Sequence, residues 1–94
     1  MKPNYTLNNL GLALRANKLI HGEGLVLSAL KNHPKGIVFL ANDAGENITE
    51  KIKTKCKTFH VELNMEYDSD ALSKAIGKLN RKVILLTDQR FIKK

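Results

Sequence analysis

Hydrophobic positions along the chain follow two patterns, helical spacing and short continuous runs. Near the N-terminus leucines recur at helical spacing, which predicts a first helix from about Leu7 to Ala16. The apolar runs Ile37–Ala41 and Val83–Thr87 are instead typical of central strands that are covered on both faces. We therefore expect a sheet at the centre of the molecule, with helices packed against it.

The segments between these runs complete an alternating order of helices and strands. A short strand is predicted at Lys18–Ile20, and a glycine-punctuated loop then leads into a second amphipathic helix. Asp43 and Glu46 form a capping-box pattern before a third helix that ends near Lys57. Further predictions are a strand in which Phe59, Val61 and Leu63 alternate with polar residues, a helix carrying Leu72, Ala75 and Ile76 that Gly77 closes, and a brief terminal helix from Asp88.

This alternation determines the expected fold class. Strands separated by helices imply crossover connections, so we predict a three-layer α/β/α sandwich with a mixed, mostly parallel sheet of about four strands. No repeat or change in composition divides the chain. We therefore expect one domain over residues 1–94.

Composition limits the classes of function. The chain has 94 residues and a net charge of +7, which favours an anionic partner, most commonly nucleic acid. A core of this size leaves little room for a water-excluding active site, so we expect no enzyme. The single cysteine, Cys56, cannot form an intramolecular disulfide, which fits a cytoplasmic protein. No apolar stretch is long enough for a membrane span.

Positive charge is concentrated in two clusters. The first, Lys51–Lys57, carries a lysine at every second position toward the end of the third helix, where lysines meet the helix dipole and cover a solvated face. The second spans a helix end, a glycine and a loop, and contains Lys74, Lys78, Arg81 and Lys82. Cations on such a loop can bind phosphates, although a merely solvated loop would have the same composition.

Candidate chemistry elsewhere in the sequence is sparse. The loop His21–Gly24 presents backbone amides to an anion, or its glycines serve turn geometry alone, and it matches neither a phosphate-binding loop nor a dinucleotide fingerprint. Cys56 and His60 are too few for a zinc site, and Asp68 is better explained as a helix cap. We expect no catalytic residue, metal or cofactor.

Four segments resemble a known family: Leu10–Leu19, Gly22–Glu23, Val38–Ala44 and Leu72–Lys78. They are similar to the bacterial YlxQ-like members of the kink-turn-binding ribosomal protein superfamily, of the archaeal and eukaryotic large-subunit type. The likeness extends from about Leu7 to Lys93. It implies an α/β/α sandwich and an RNA-binding edge formed by the start of the second helix and neighbouring loops.

The chain departs from the family at the residues that read RNA. Kink-turn binders carry a Gly-x-Asn-Glu-x-x-Lys pattern, in which Asn and Glu recognise sheared guanines and Lys contacts RNA. Aligned on Gly22, these three positions hold Gly24, Leu25 and Ser28. Shape and phosphate contacts are therefore expected to carry more of the binding than base readout.

Together these observations predict a non-enzymatic RNA-binding protein, a monomer that binds structured RNA, such as ribosomal RNA. The expected contact residues are Gly22, Glu23, Gly24, Leu25, Ser28, Lys31, Lys74, Ala75, Ile76, Gly77, Lys78, Arg81 and Lys82. The alternative is a protein adaptor that binds ribosome or transcription-complex proteins through an exposed Leu25. A third possibility, an enzyme, has no recognisable residues to support it.

Overall fold

The computed structural model describes residues 5–91, which alternate between helices and strands. These residues form four α-helices, four strands and two short 3-10 helices, Leu30–Asn32 and Gln89–Phe91. In chain order the elements are α1 (Tyr5–Arg15), β1 (Leu19–His21), α2 (Glu23–Ala29), β2 (Ile37–Leu40), α3 (Glu46–Phe59), β3 (Glu62–Asn64), α4 (Ser69–Ile76) and β4 (Val83–Leu86). Between residues 5 and 91, no helix combines the length and apolarity needed to cross a bilayer.

The sheet is mixed, as predicted, but its pairing is not mostly parallel. The strand order is β1-β4-β2-β3, and only β2 and β3 pair in parallel. β4 pairs antiparallel with both β1 and β2. Three strands therefore run in one direction, as crossover connections require, and the fourth lies inverted between two of them. This insertion makes two of the three pairings antiparallel.

Each central strand is buried on both faces, which explains the continuous apolar runs. Ile37 and Phe39 face α1 and α4, whereas Val38 and Leu40 face α2 and α3. The β4 residues divide in the same alternating way between the two clusters. The predicted three-layer α/β/α arrangement is thus confirmed, with the sheet separating two hydrophobic clusters.

Helix ends differ from the predictions at two places. α3 continues to Phe59, and β3 begins only at Glu62, so Phe59 does not belong to a strand. Left-handed His60 ends the helix, and the Val61 amide donates to the Cys56 carbonyl. The predicted capping box is also wrong, because Gly45 precedes α3 without a side-chain capping bond. The Asp43 carboxylate instead accepts bonds from the amide and hydroxyl of Ser69 at the start of α4.

α1 and α4 pack closely where α1 contains a glycine. A Cβ atom on Gly11 would lie 2.9 Å from the carbonyl oxygen of Ala75. Only a glycine permits this approach, because a larger residue would displace the α4 backbone. This contact fixes α4, and hence the loop that follows it, against the rest of the molecule.

Candidate functional site

Three loops meet at one end of the sheet, where β1 and β2 end and β4 begins. The Gly22 amide donates to the Val83 carbonyl at 3.1 Å, and the Ala41 amide donates to the Lys82 carbonyl at 2.8 Å. These bonds join the β1–α2 turn, the β2–α3 loop and the α4–β4 loop. We call this surface, residues 21–25, 41–45 and 77–82, the loop edge.

Gly22 forms the tight turn between β1 and α2. Its φ of 98° is sterically unfavourable for residues with a side chain, and its carbonyl accepts the Val26 amide at 3.0 Å to begin the helix. The next helical turn leaves Gly24, Leu25 and Ser28 exposed, with Leu25 at 67% exposure. The three positions where the family carries Asn, Glu and Lys therefore face outward with no polar group longer than a serine hydroxyl.

The α4–β4 loop begins with a Schellman-type helix end at Gly77. Gly77 is left-handed, its amide donates to the Lys74 carbonyl, and the Lys78 amide donates to the Ser73 carbonyl. Lys78 and Lys82 are exposed, and Leu79 between them is 81% exposed. The loop thus presents two ammonium groups around an apolar side chain.

Arg81 is partly buried, and hydrogen bonds to three other residues hold it in place. Its backbone amide donates to the Ser73 hydroxyl at 2.8 Å, and its Nη1 donates to the Leu79 carbonyl at 3.2 Å. Its Nε donates to the Nδ1 of His21 at 2.9 Å. Arg81 therefore links the α4–β4 loop to the end of β1.

The surroundings of His21 favour its neutral form. Burial lowers the pKa of His21 below its ordinary 6.5, and the positive charges of Arg81 and Lys78 lower it further. Because Nδ1 accepts a bond from Arg81, the single ring proton of the neutral imidazole is on Nε2.

Carboxylates accompany the cations at the loop edge. Glu23 Oε2 lies 3.6 Å from the Lys51 ammonium of α3, in an exposed ion pair. Hydrogen bonds from Ser69 lower the pKa of Asp43, and the Lys82 charge lowers it further. The side chains of Lys78, Arg81 and Lys82 thus carry the positive charge available to an anion here, whereas Glu23 and Asp43 oppose it.

Four of the predicted contact residues have side chains that lie away from the loop edge. Lys74 and Ala75 line a groove between α1 and α4 of about 430 Å³, and the Lys74 ammonium lies 3.1 Å from Asp70. Ile76 is 4% exposed and packs in the core under α4. Lys31 lies in the 3-10 helix after α2, two helical turns from Gly22.

The arrangement at the loop edge can bind an anionic surface but offers no paired nucleophile and base. Within residues 5–91, no three His, Cys, Asp or Glu side chains are grouped to hold a metal ion. Cys56 lies in the core between α3 and the sheet, where burial raises its pKa to about 11. This thiol therefore carries little of the nucleophilic thiolate at neutral pH.

Comparison with known families gives this surface its context. The model of the ribosomal protein L7Ae/L30e/S12e/Gadd45 family matches residues 6–93. The chain belongs to this family. Within the L7Ae family, it is 41% identical over 88 residues to the RNA-binding protein YlxQ of Enterococcus faecium, covering 94% of this chain and 84% of that protein. It is 38% identical over 85 residues to the RNA-binding protein YlxQ of Bacillus subtilis, covering 90% and 85%. The predicted family resemblance is thus confirmed.

Solved structures show the same L7Ae-family fold. A Bacillus halodurans protein of unknown function superimposes with a TM-score of 0.85 at 34% identity, covering 96% of this chain and 90% of that one. A 15.5 kD RNA-binding protein of Giardia lamblia gives a TM-score of 0.76 at 17% identity, covering 89% and 72%. The second likeness, at this low identity, concerns the fold alone.

Two features of the loop edge are missing from the sequence predictions. The sequence predictions include His21 only as the first residue of the loop His21–Gly24, and its bond to Arg81 spans 60 positions in the sequence. Leu79 has a recognisable signal, because an apolar residue between cations and outside any periodic segment has no core position to occupy.

Proposed function

We propose that this chain, as one domain over residues 1–94, is a non-enzymatic RNA-binding protein. It acts as a monomer and binds RNA through the loop edge. The observation that carries the proposal is that the cationic α4–β4 loop is joined by hydrogen bonds to the Gly22 turn. A rigid surface with Lys78, Arg81 and Lys82 on one side and the exposed start of α2 on the other suits a structured RNA such as ribosomal RNA. The family and the YlxQ relatives support this function.

The mode of binding that we propose is recognition of shape and phosphates rather than of base edges. The side chains at Gly24, Leu25 and Ser28 offer no carboxylate or amide group to a guanine, whereas the cations of the α4–β4 loop can each neutralise a phosphate. With Lys74 facing the α1–α4 groove, three cations remain for this role, and a logarithmic salt slope of about −2 to −3 is expected.

Restoring the family's reading residues tests this proposal. We would measure binding of a labelled hairpin RNA that contains a kink-turn and of a plain hairpin of equal length, each across a salt series. The native chain should bind both with affinities within about tenfold of each other. The variant Gly24→Asn/Leu25→Glu/Ser28→Lys should prefer the kink-turn by more than about tenfold, because each restored base contact contributes about 1–3 kcal/mol. Salt-independent binding, or no binding of either RNA by the native chain at low salt, would contradict the proposal.

Two exposed leucines at the loop edge favour a second candidate, a protein adaptor in a translation or transcription complex. Leu25 and Leu79 both lie exposed at the loop edge, and exposed apolar surface rimmed by polar residues is typical of protein interaction sites. Affinity capture from lysate before and after ribonuclease treatment separates the two functions. Partners that survive digestion but are lost in Leu25→Ser/Leu79→Ser would favour the adaptor, whereas partners lost on digestion would favour RNA binding.

A further inference from the structure

A side-chain hydrogen bond between His21 and Arg81 connects β1 to the α4–β4 loop. We propose that His21 is a positioning residue for RNA binding, which holds the Arg81 guanidinium and thereby orients the cationic α4–β4 loop toward the RNA. This proposal rests on the RNA-binding function proposed above. It assigns a role to a histidine outside the family's reading pattern.

The hydrogen bonds of Arg81 fall into two groups, those within α4 and the α4–β4 loop and the one to His21. The bonds from Arg81 to Ser73 and Leu79 stay within α4 and its own loop. The 2.9 Å bond to His21 instead directs the guanidinium toward the β1–α2 turn. Nη2 is not used by any of these contacts, so it can donate to a phosphate while Nε stays bound to the imidazole.

Burial and, after it, the neighbouring positive charges lower the pKa of His21, which favours an unprotonated Nδ1 that can accept a bond. Arg81 and Lys78 approach it from the α4–β4 loop, and Ile84 opposite it on β4 is apolar. Glu23, two residues along the chain, is paired with Lys51. A protonated imidazole could not accept the bond from Arg81 and would repel it, so the neutral form that this environment favours is the one that positions the guanidinium.

A double-mutant cycle with a matched rescue tests the proposal through RNA affinity. The probe is the labelled plain hairpin at low salt, and the variants are His21→Ala, His21→Asn, Arg81→Ala and His21→Ala/Arg81→Ala. His21→Ala should weaken binding about three- to tenfold, and His21→Asn should recover most of the loss, because an amide oxygen can accept near the site of Nδ1. In the Arg81→Ala background, His21→Ala should change the affinity less than about twofold. His60→Asn, which removes an exposed imidazole from the far end of α3, is the control and should bind like the native chain.

Three results of the cycle would overturn the proposal. Unchanged binding by His21→Ala, or by Arg81→Ala, would show that the contact does not serve RNA. An equal loss from His21→Ala with and without Arg81 would show that His21 acts independently of the guanidinium.

A measurement without RNA keeps the inference testable if RNA binding itself fails. In the ¹⁵N NMR spectrum of the free protein, the Arg81 Nε–H should be protected from exchange, lose protection in His21→Ala and keep it in His21→Asn. An unprotected Arg81 Nε–H in the native chain would overturn the positioning role. Protection together with no RNA binding would reject the proposed RNA-binding function and the role of His21 in it. The contact between His21 and Arg81 itself would stand.

Discussion

Replacing Gly11 by alanine should destabilise the protein, against the usual helix preference. In a helix interior alanine is ordinarily favoured over glycine by about 0.8–1 kcal/mol. Here the new Cβ would lie 2.9 Å from the Ala75 carbonyl oxygen, about half an ångström inside ordinary contact. Forcing a methyl group into a packed interface costs about 1–3 kcal/mol, so we expect a net loss of about 1 kcal/mol.

Gly24→Ala is the matched control, because it makes the same chemical change in a different helix. Gly24 lies in the first turn of α2, and a Cβ there would have no atom within 4 Å. This variant should therefore gain about 0.5 kcal/mol from helix propensity alone.

Urea unfolding followed by circular dichroism at 222 nm measures both changes. The two variants should move the midpoint in opposite directions with little change in the slope. In a thermal melt, the loss expected for Gly11→Ala corresponds to a fall in Tm of about 4–8 °C. If Gly11→Ala raised the stability as much as Gly24→Ala, the close packing of α1 on α4 would be refuted.

Three further outcomes follow from other local features. Gly77→Ala should lower the free energy of unfolding by about 1 kcal/mol in urea melts. The cost comes from the left-handed backbone, with φ at 68°, and not from a clash, because a Cβ at this position would meet open space. An unchanged midpoint would contradict the left-handed helix end. Hydrogen bonds from Arg90 lower the pKa of Asp88 to about 2, so this carboxylate stabilises the fold above about pH 4 and the contribution is lost as the pH falls toward 2. When the free energy of unfolding is measured against pH, Asp88→Asn should therefore lose less stability between about pH 4 and 2 than the native chain. Cys56 should react with a thiol reagent at pH 8 at least about tenfold more slowly in the native protein than in urea, and equal rates would contradict its burial and raised pKa.

Most helices and strands could be predicted from the sequence, because buried apolar positions recur with the period of the element that contains them. Strands covered on both faces read as unbroken apolar runs, and Ile48, Ile52 and Cys56 mark the inner face of α3. Phe59 was assigned wrongly because it satisfies two patterns at once. It continues the helical spacing from Cys56 and also begins the strand alternation with Val61.

Strand direction and long-range polar contacts produce no such pattern in the sequence. Periodicity reports which residues are buried but not which strand lies beside another, so the inverted position of β4 could not be read from the alternation of elements. Asp43 has a capping pattern nearby but bonds to Ser69, 26 residues away. At the loop edge, the glycine turn and exposed cations were predictable from local composition, whereas the pairing of His21 with Arg81 required the folded structure.

The central position of β4 has a consequence for the order in which the protein forms during synthesis. β1 and β2 do not pair with each other. Leu19 in β1 pairs with Leu86 in β4, so β1 has no strand partner until β4 has been synthesised. A ribosome must therefore release nearly all of residues 5–91 before the sheet can close, although β2, α3 and β3 can associate earlier. The loop edge, which depends on the entry into β4, is then completed last. A nascent chain lacking β4 should have no assembled site through which to bind RNA.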